Sequence, residues 1–317
     1  MDENSRLKEF RQMKNEIRGS AKYLVAGIDV AKERHHAFFG RSDGRTLMRR
    51  LVFGNTGDGF EKLLFHAEAI KKQHALETIV FGMEPTADYH KPLAEYLIRR
   101  GYPTVLVAGA AVKKNRELLD GRWDKHDTKD AANIADLVSQ GKCLFCEFPS
   151  SDLRELRGLL SFKRRLTKQQ KGYRVRIRNH LIAQYFQEMD PYFSYGEGPA
   201  IIARHLDPAA LSNIPCEAFI PMVSSRNGGE RQRRRLFEIH AKAGASIGCA
   251  VTSGVSFEAA MLIEAMGTLH GMLEETDRKI AEACKRFPEY PCLLSIPGFG
   301  PDISAKVLGG HRQSPPV

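Results

Sequence analysis

Tyr23-Leu24-Val25-Ala26-Gly27-Ile28-Asp29-Val30-Ala31-Lys32 is the stretch whose reading decides the fold. Apart from its glycine, the run from Tyr23 to Ile28 is apolar and rich in strand formers, so it predicts a buried strand. Asp29 ends that strand among residues that belong inside. A buried carboxylate is costly unless something pairs with it, and a metal ion is one such partner. A plain turn cap is the alternative for Asp29 taken alone. Other acids in suitable places are what separate the two readings.

Outward from this strand, residues 35–40 and 47–53 predict two more, joined at Ser42-Asp43-Gly44 into an antiparallel meander. Residues 59–72 carry Phe60, Leu63, Leu64 and Ala67 at helical spacing. A short apolar strand follows at 78–83, then a helix at 89–100, a strand at 104–107 and a helix at 127–140 with Ala131, Ile134, Ala135 and Leu137 inward. The order β-β-β-α-β-α-β-α suits a mixed sheet with helices on its faces, the order of a ribonuclease-H-like fold. Residues 1–22 read as a flexible, partly helical arm ahead of this domain, which spans 23–148.

Residues 151–287 predict long helices around an irregular, Gly- and Pro-punctuated segment. The first helical pattern, 151–187, carries Arg154, Arg157, Lys163, Arg164, Arg165, Lys168, Lys171, Arg174, Arg176 and Arg178 against two acids, Asp152 and Glu155. Repulsion within so one-signed a run weakens an isolated helix, and a phosphate backbone lying along it relieves the repulsion. Asp190-Pro191 breaks the pattern. Later, Ala259, Leu262, Met266, Leu269, Leu273, Thr276, Ile280 and Ala283 alternate spacings of three and four. That seam predicts a second long helix, paired with the basic one, with another subunit, or inside a bundle.

With 317 residues the chain has room for two cores, and its 42% hydrophobic content suits a folded protein. A formal charge of +10 and a pI near 9.3 favour a polyanionic partner, most simply nucleic acid. Six cysteines at ordinary density fit a reducing, cytoplasmic setting, and no run approaches the ~20 apolar residues of a membrane span. Cys143-Leu144-Phe145-Cys146 is a C-x-x-C pattern without a second pair at zinc spacing.

Four acids carry the candidate chemistry. Asp29 ends the first strand, and Glu84 ends the fourth in Gly82-Met83-Glu84-Pro85-Thr86. Asp127 and Asp130 open a helix and share one face by their spacing. If the first and fourth strands are neighbours, Asp29 and Glu84 emerge side by side and the helix brings two more carboxylates over that edge. Clustered carboxylates repel unless cations sit among them, and hard oxygen ligands favour Mg2+ or Mn2+. Two such ions about 4 Å apart support phosphodiester transfer.

These segments resemble the DEDD transposases of the insertion-sequence 110 family, relatives of the Piv-type DNA invertases with a RuvC-like N-terminal domain. The matching words are Gly27-Ile28-Asp29-Val30-Ala31-Lys32, Met83-Glu84-Pro85-Thr86 and Asp127-Thr128-Lys129-Asp130-Ala131. The likeness continues into Leu294-Ser295-Ile296-Pro297-Gly298-Phe299-Gly300-Pro301-Asp302-Ile303-Ser304-Ala305, similar to that family's second domain. The resemblance implies a metal-binding tetrad of Asp29, Glu84, Asp127 and Asp130, DNA as substrate, a non-coding guide RNA, a homodimer or homotetramer, and a prokaryotic cytoplasm. By itself the Pro-Gly-Phe-Gly turn reads as a helix-hairpin-helix element. Its Gly298 and Gly300 let backbone amides approach a phosphate at a helix N-terminus, and a plain Gly-rich turn is the alternative.

The family's second domain also holds a nucleophilic serine, usually before a glycine. Ser295, Ser304 and Ser314 do not match it, so no nucleophilic serine is identified. Residues 288–317 are expected to be the start of an incomplete domain, with recombination impaired. A metal-dependent junction endonuclease and a non-catalytic nucleic-acid binder are the rival readings.

Overall fold

The deciding stretch forms strand β1, Tyr23–Asp29, with every residue from Leu24 to Ile28 buried. The structure is a computed structural model that describes residues 3–120, 127–224 and 229–310, without the side chains of residues 3, 118–120, 127 and 128. It divides the chain into two compact units, Met1–Pro149 and Ser150–Val317.

The first unit runs α1 (Glu3–Glu16), β1, β2 (Arg34–Arg41), β3 (Thr46–Gly54), α2 (Gly57–Gln73), β4 (Thr78–Met83) and α3 (His90–Arg99). It continues with β5 (Thr104–Leu106), α4 (Gly109–Asp120), α5 (Asp127–Ser139) and β6 (Leu144–Phe145). The sheet is six-stranded and mixed, in the order β3-β2-β1-β4-β5-β6. β1 pairs antiparallel with β2 and parallel with β4, so the first and fourth strands are neighbours.

Strand alternation gives the sheet two cores. Leu24, Ala26, Ile28, Ile79, Phe81 and Met83 face one way, with Phe60 and Leu63 of α2 and Leu93 and Leu97 of α3. Val25, Val80 and Val105 face the other, with Ile134, Ala135 and Val138 of α5. The helices and strands expected in this unit form at the expected places, and two elements were not foreseen, α4 and β6. A third difference is the N-terminal arm. Residues 1–22 include a docked helix, because Phe10, Met13 and Ile17 recur at helical spacing, with Met13 and Ile17 buried in the α5-side core.

The second unit opens with α6, Ser151–Arg176, which continues through a π turn at Ile177–Ile182 into α7, Ala183–Tyr185. A 3-10 turn at Gln187–Tyr192 follows, then α8 (Gly198–Arg204), α9 (Pro208–Ser212), α10 (Cys216–Val223) and α11 (Glu230–Ala243). The chain then forms α12 (Ser253–Cys284), α13 (Tyr290–Leu294) and α14 (Pro301–Leu308). Leu156 and Leu160 of α6 pack with Ile280, Ala283 and Cys284 of α12, while Ile177 and Leu181 share a second core with Ala259. The heptad seam therefore packs on the basic helix within the same chain. Among the described residues no helix is long and apolar enough to cross a membrane.

Candidate active site

Parallel pairing carries β1 and β4 in step from Tyr23 opposite Thr78 to Ile28 opposite Met83. The next residues are Asp29 and Glu84, so both acids leave the sheet at one level on adjacent strands. Alternation also fixes their side: Asp29 follows Val25 and Gly27, and Glu84 follows Val80 and Gly82, on the face that α5 covers. Both are half-buried. Antiparallel pairing adds His36, directly across from Asp29 and on the same face. Asp29, His36 and Glu84 each already engage another group.

Two glycines let α5 lie close to the sheet. A Cβ on Gly27 would sit 2.1 Å from the Ala131 carbonyl oxygen, and one on Gly82 would sit 2.5 Å from Val138 Cγ2. Each glycine stands two residues before an acid, so the words Gly-Ile-Asp and Gly-Met-Glu couple helix approach to carboxylate position. Asp130 immediately precedes Ala131, which places its end of α5 over β1. Asp130 is 4% exposed and ion-paired with Arg116 of α4. Asn133 Nδ2 donates to the Val112 carbonyl at 2.6 Å and Asn115 Nδ2 donates to Asp136 at 2.8 Å, which pins α4 to α5. Asp127 begins α5 one turn before Asp130, and its side chain lies outside the described residues. Among the described residues no three His, Cys, Asp or Glu side chains are arranged to hold a metal.

Glu84 reaches the start of α4. Its Oε1 lies 2.6 Å from where a Cβ on Gly109 would be. The helix start also favours a negative charge there. Ala87, three residues on, has φ +45°, a left-handed conformation that L side chains rarely adopt. Behind Asp29, the turn into β2 is held from the core. His35 Nδ1 accepts the Ala31 N–H at 3.2 Å, and the Asn55 N–H donates to the Glu33 carbonyl at 2.9 Å. His35 is fully buried, and burial pushes its pKa below the usual histidine value; accepting at Nδ1 corresponds to the tautomer with its proton on Nε2.

His36, Gly109 and Arg116 are the residues at this edge that sequence reasoning missed. Only the β1–β2 register, which sets His36 opposite Asp29, marks His36. Nothing in the local sequence marks Arg116, whose partner is on another helix.

The basic run on α6 separates into two sets. Arg157 donates to the Gly309 carbonyl at 2.8 Å, and Lys163 bridges Asp277 at 2.6 Å and Asp302 at 2.7 Å. Arg178 is bidentate on Asp190, Arg165 donates to Ser161, and Arg154 is half-buried. Arg164, Lys168, Lys171 and Arg174 are exposed at spacings of four, three and three, hence on one face, and no ion pair among the described residues takes them.

The Pro-Gly-Phe-Gly turn joins α13 to α14, with Gly298 at φ +85° and open space beside Gly298 and Gly300. Asp302 occupies the first turn of α14. Ser295 is exposed and Ser304 fully buried, whereas Ser314 lies outside the described residues. Cys143 and Cys146 sit in cores on opposite faces of the sheet, and burial pushes the Cys143 thiol up to about 11. A shared metal does not fit that placement.

The chain's likeness to known proteins agrees with this architecture. Residues 26–186, half of the chain, match the DEDD transposase family of insertion sequence 110, described as transposase. A Sinorhizobium fredii (strain NBRC 101917 / NGR234) protein, y4uE, which carries the name of a transposase, is 28% identical over 114 residues. The match covers 36% of this chain and 31% of the relative's length. The protein is a member of the DEDD transposases of the insertion-sequence 110 family.

Proposed function

We propose that this transposase uses a RuvC-like, ribonuclease-H-like N-terminal domain to carry out metal-dependent phosphodiester transfer on DNA. The observation that carries the reading is the register of β1 on β4, which sends Asp29 and Glu84 out at one level on the α5 face. The donor set is all carboxylate oxygen, which suits Mg2+ or Mn2+. Asp29, Glu84, Asp127 and Asp130 would hold the ions. A bound ion would supply Lewis-acid stabilisation of the negative charge on the phosphoryl and leaving oxygens and activation of an attacking oxygen.

The protein's own groups orient and balance charge at this edge. The hydrogen bond that His35 accepts from Ala31 and the one that the Asn55 N–H donates to Glu33 fix the turn after Asp29. Arg116 balances the charge of the buried Asp130 carboxylate. The exposed face of Arg164, Lys168, Lys171 and Arg174 would follow a phosphate backbone, and its contribution would weaken with salt. The guide RNA and the dimer or tetramer rest on family resemblance. The division into a catalytic domain ending near residue 148, long helices to 287 and a further domain from 288 is part of the same proposal.

The test is strand cleavage of the element's own end DNA by the purified chain with its non-coding RNA. Cleavage that needs Mg2+ or Mn2+ and is lost in Asp29→Ala and Glu84→Ala is the expected result. Cleavage that survives both substitutions would overturn the assignment.

A further inference from the structure

Asp190 is the one acid in a groove whose polar lining, among the described residues, is otherwise Lys171, Arg174, Arg178 and Asn179, with Val175 and Ala183 between them. The groove lies where α6 passes into the π turn, a distortion frequent at functional sites. The helix ends at Tyr185, and Asp190 reaches back to it from the 3-10 turn at Gln187–Tyr192. Arg178 Nε donates to Oδ1 and its Nη2 to Oδ2 of Asp190, both at 2.6 Å, which is the parallel two-bond fork. Arg178 holds the Asp190 carboxyl below its usual range. Both side chains remain more than 40% exposed, so the pair sits at the surface and can open.

A phosphodiester offers the guanidinium fork the same pair of acceptor oxygens that a carboxylate does. Lys171 and Arg174 precede Arg178 by seven and four residues, so they share its side of the helix and continue the stripe from Arg164 and Lys168. A strand running along that stripe meets the fork next.

We propose that this groove is a phosphodiester-binding site and that Asp190 is its resident occupant, displaced when a nucleic-acid backbone takes the Arg178 fork. The inference rests on the reading of α6 as a nucleic-acid surface, and it adds a built-in competitor at one end of that surface.

The test uses the full chain, a random-sequence DNA duplex and an RNA hairpin of equal charge. Asp190→Asn keeps the size and removes the charge; thermal melting confirms the fold. Asp190→Asn is expected to tighten binding roughly eightfold at about 0.1 M monovalent salt, the effect of releasing one more counterion. The log–log salt slope should steepen by about one. Adding Arg178→Ala should cancel both changes. A gain on both probes supports the shared phosphodiester chemistry, and a gain on one identifies its source. Unchanged affinity and slope in Asp190→Asn, or a gain that survives Arg178→Ala, would overturn the site. The α6 reading fails separately if Arg164→Glu with Lys168→Glu leaves the wild-type salt slope unchanged.

Discussion

Gly27 and Ala131 meet backbone to backbone: a Cβ on Gly27 would stand 2.1 Å from the Ala131 carbonyl oxygen and 2.5 Å from the Ala135 nitrogen. Neither atom is at the end of a flexible side chain, so α5 itself must move to admit a methyl group. Gly27→Ala is expected to lower unfolding stability by about 3 kcal/mol or more, the upper range for overpacking. Gly82→Ala meets side chains, Val138 closely and Ile134 at ordinary contact distance, and should cost less, about 1–2 kcal/mol. Urea unfolding of the two variants checks the order. Equal small losses would mean that α5 does not depend on this approach.

Arg116 and Asp130 form a second testable contact. Asp130 is almost fully buried, so removing the guanidinium leaves an uncompensated charge. Arg116→Met should destabilise the protein by about 3 kcal/mol without added metal. If Asp130 also ligates an ion, Mn2+ should restore more stability to Arg116→Met than to Asp130→Asn. Identical responses of the two variants to Mn2+ would separate Asp130 from the metal.

The buried imidazole behind Asp29 makes stability depend on pH. Burial lowers the His35 pKa from its ordinary 6.5, so the unfolded chain takes up a proton more readily than the native state. The stability from neutral His35 is present above about pH 6.5 and is lost as pH falls through the lowered native value. His35→Phe suits the aromatic neighbours Phe53 and Phe60 and removes the titration. It should flatten the fall in unfolding midpoint below that pH. His90 and His205 are shifted the same way and keep their own share of the slope. An unchanged slope in His35→Phe would show that His35 is already protonated in the native state.

The strands that frame the site were legible because burial on both faces writes itself as short apolar runs, and Asp29 and Glu84 stand out at the ends of two of them. The helix over them was legible from Ala131, Ile134 and Ala135. Its closeness was not, since the reason for Gly27 and Gly82 lies in a partner helix about a hundred residues away for Gly27. His36 became visible only with the β1–β2 register, which places it opposite Asp29. The basic helix illustrates the opposite error. A one-signed run suggested that all its cations face phosphate, yet Asp277, Asp302 and Asp190 arrive from distant or folded-back segments to neutralise part of it. Charge counted along one helix cannot reveal acids supplied by another.

The arrangement of Asp29 beside Glu84 under the start of α5 is the centre of the account, and Mn2+ anomalous scattering from crystals grown with the ion measures it directly. The predicted result is a peak between the Asp29 and Glu84 carboxylates at the end of β1 and β4, absent in crystals of Asp29→Asn. A map with no peak at that edge, or one whose strongest protein-bound peak is elsewhere and persists in Asp29→Asn, would contradict it.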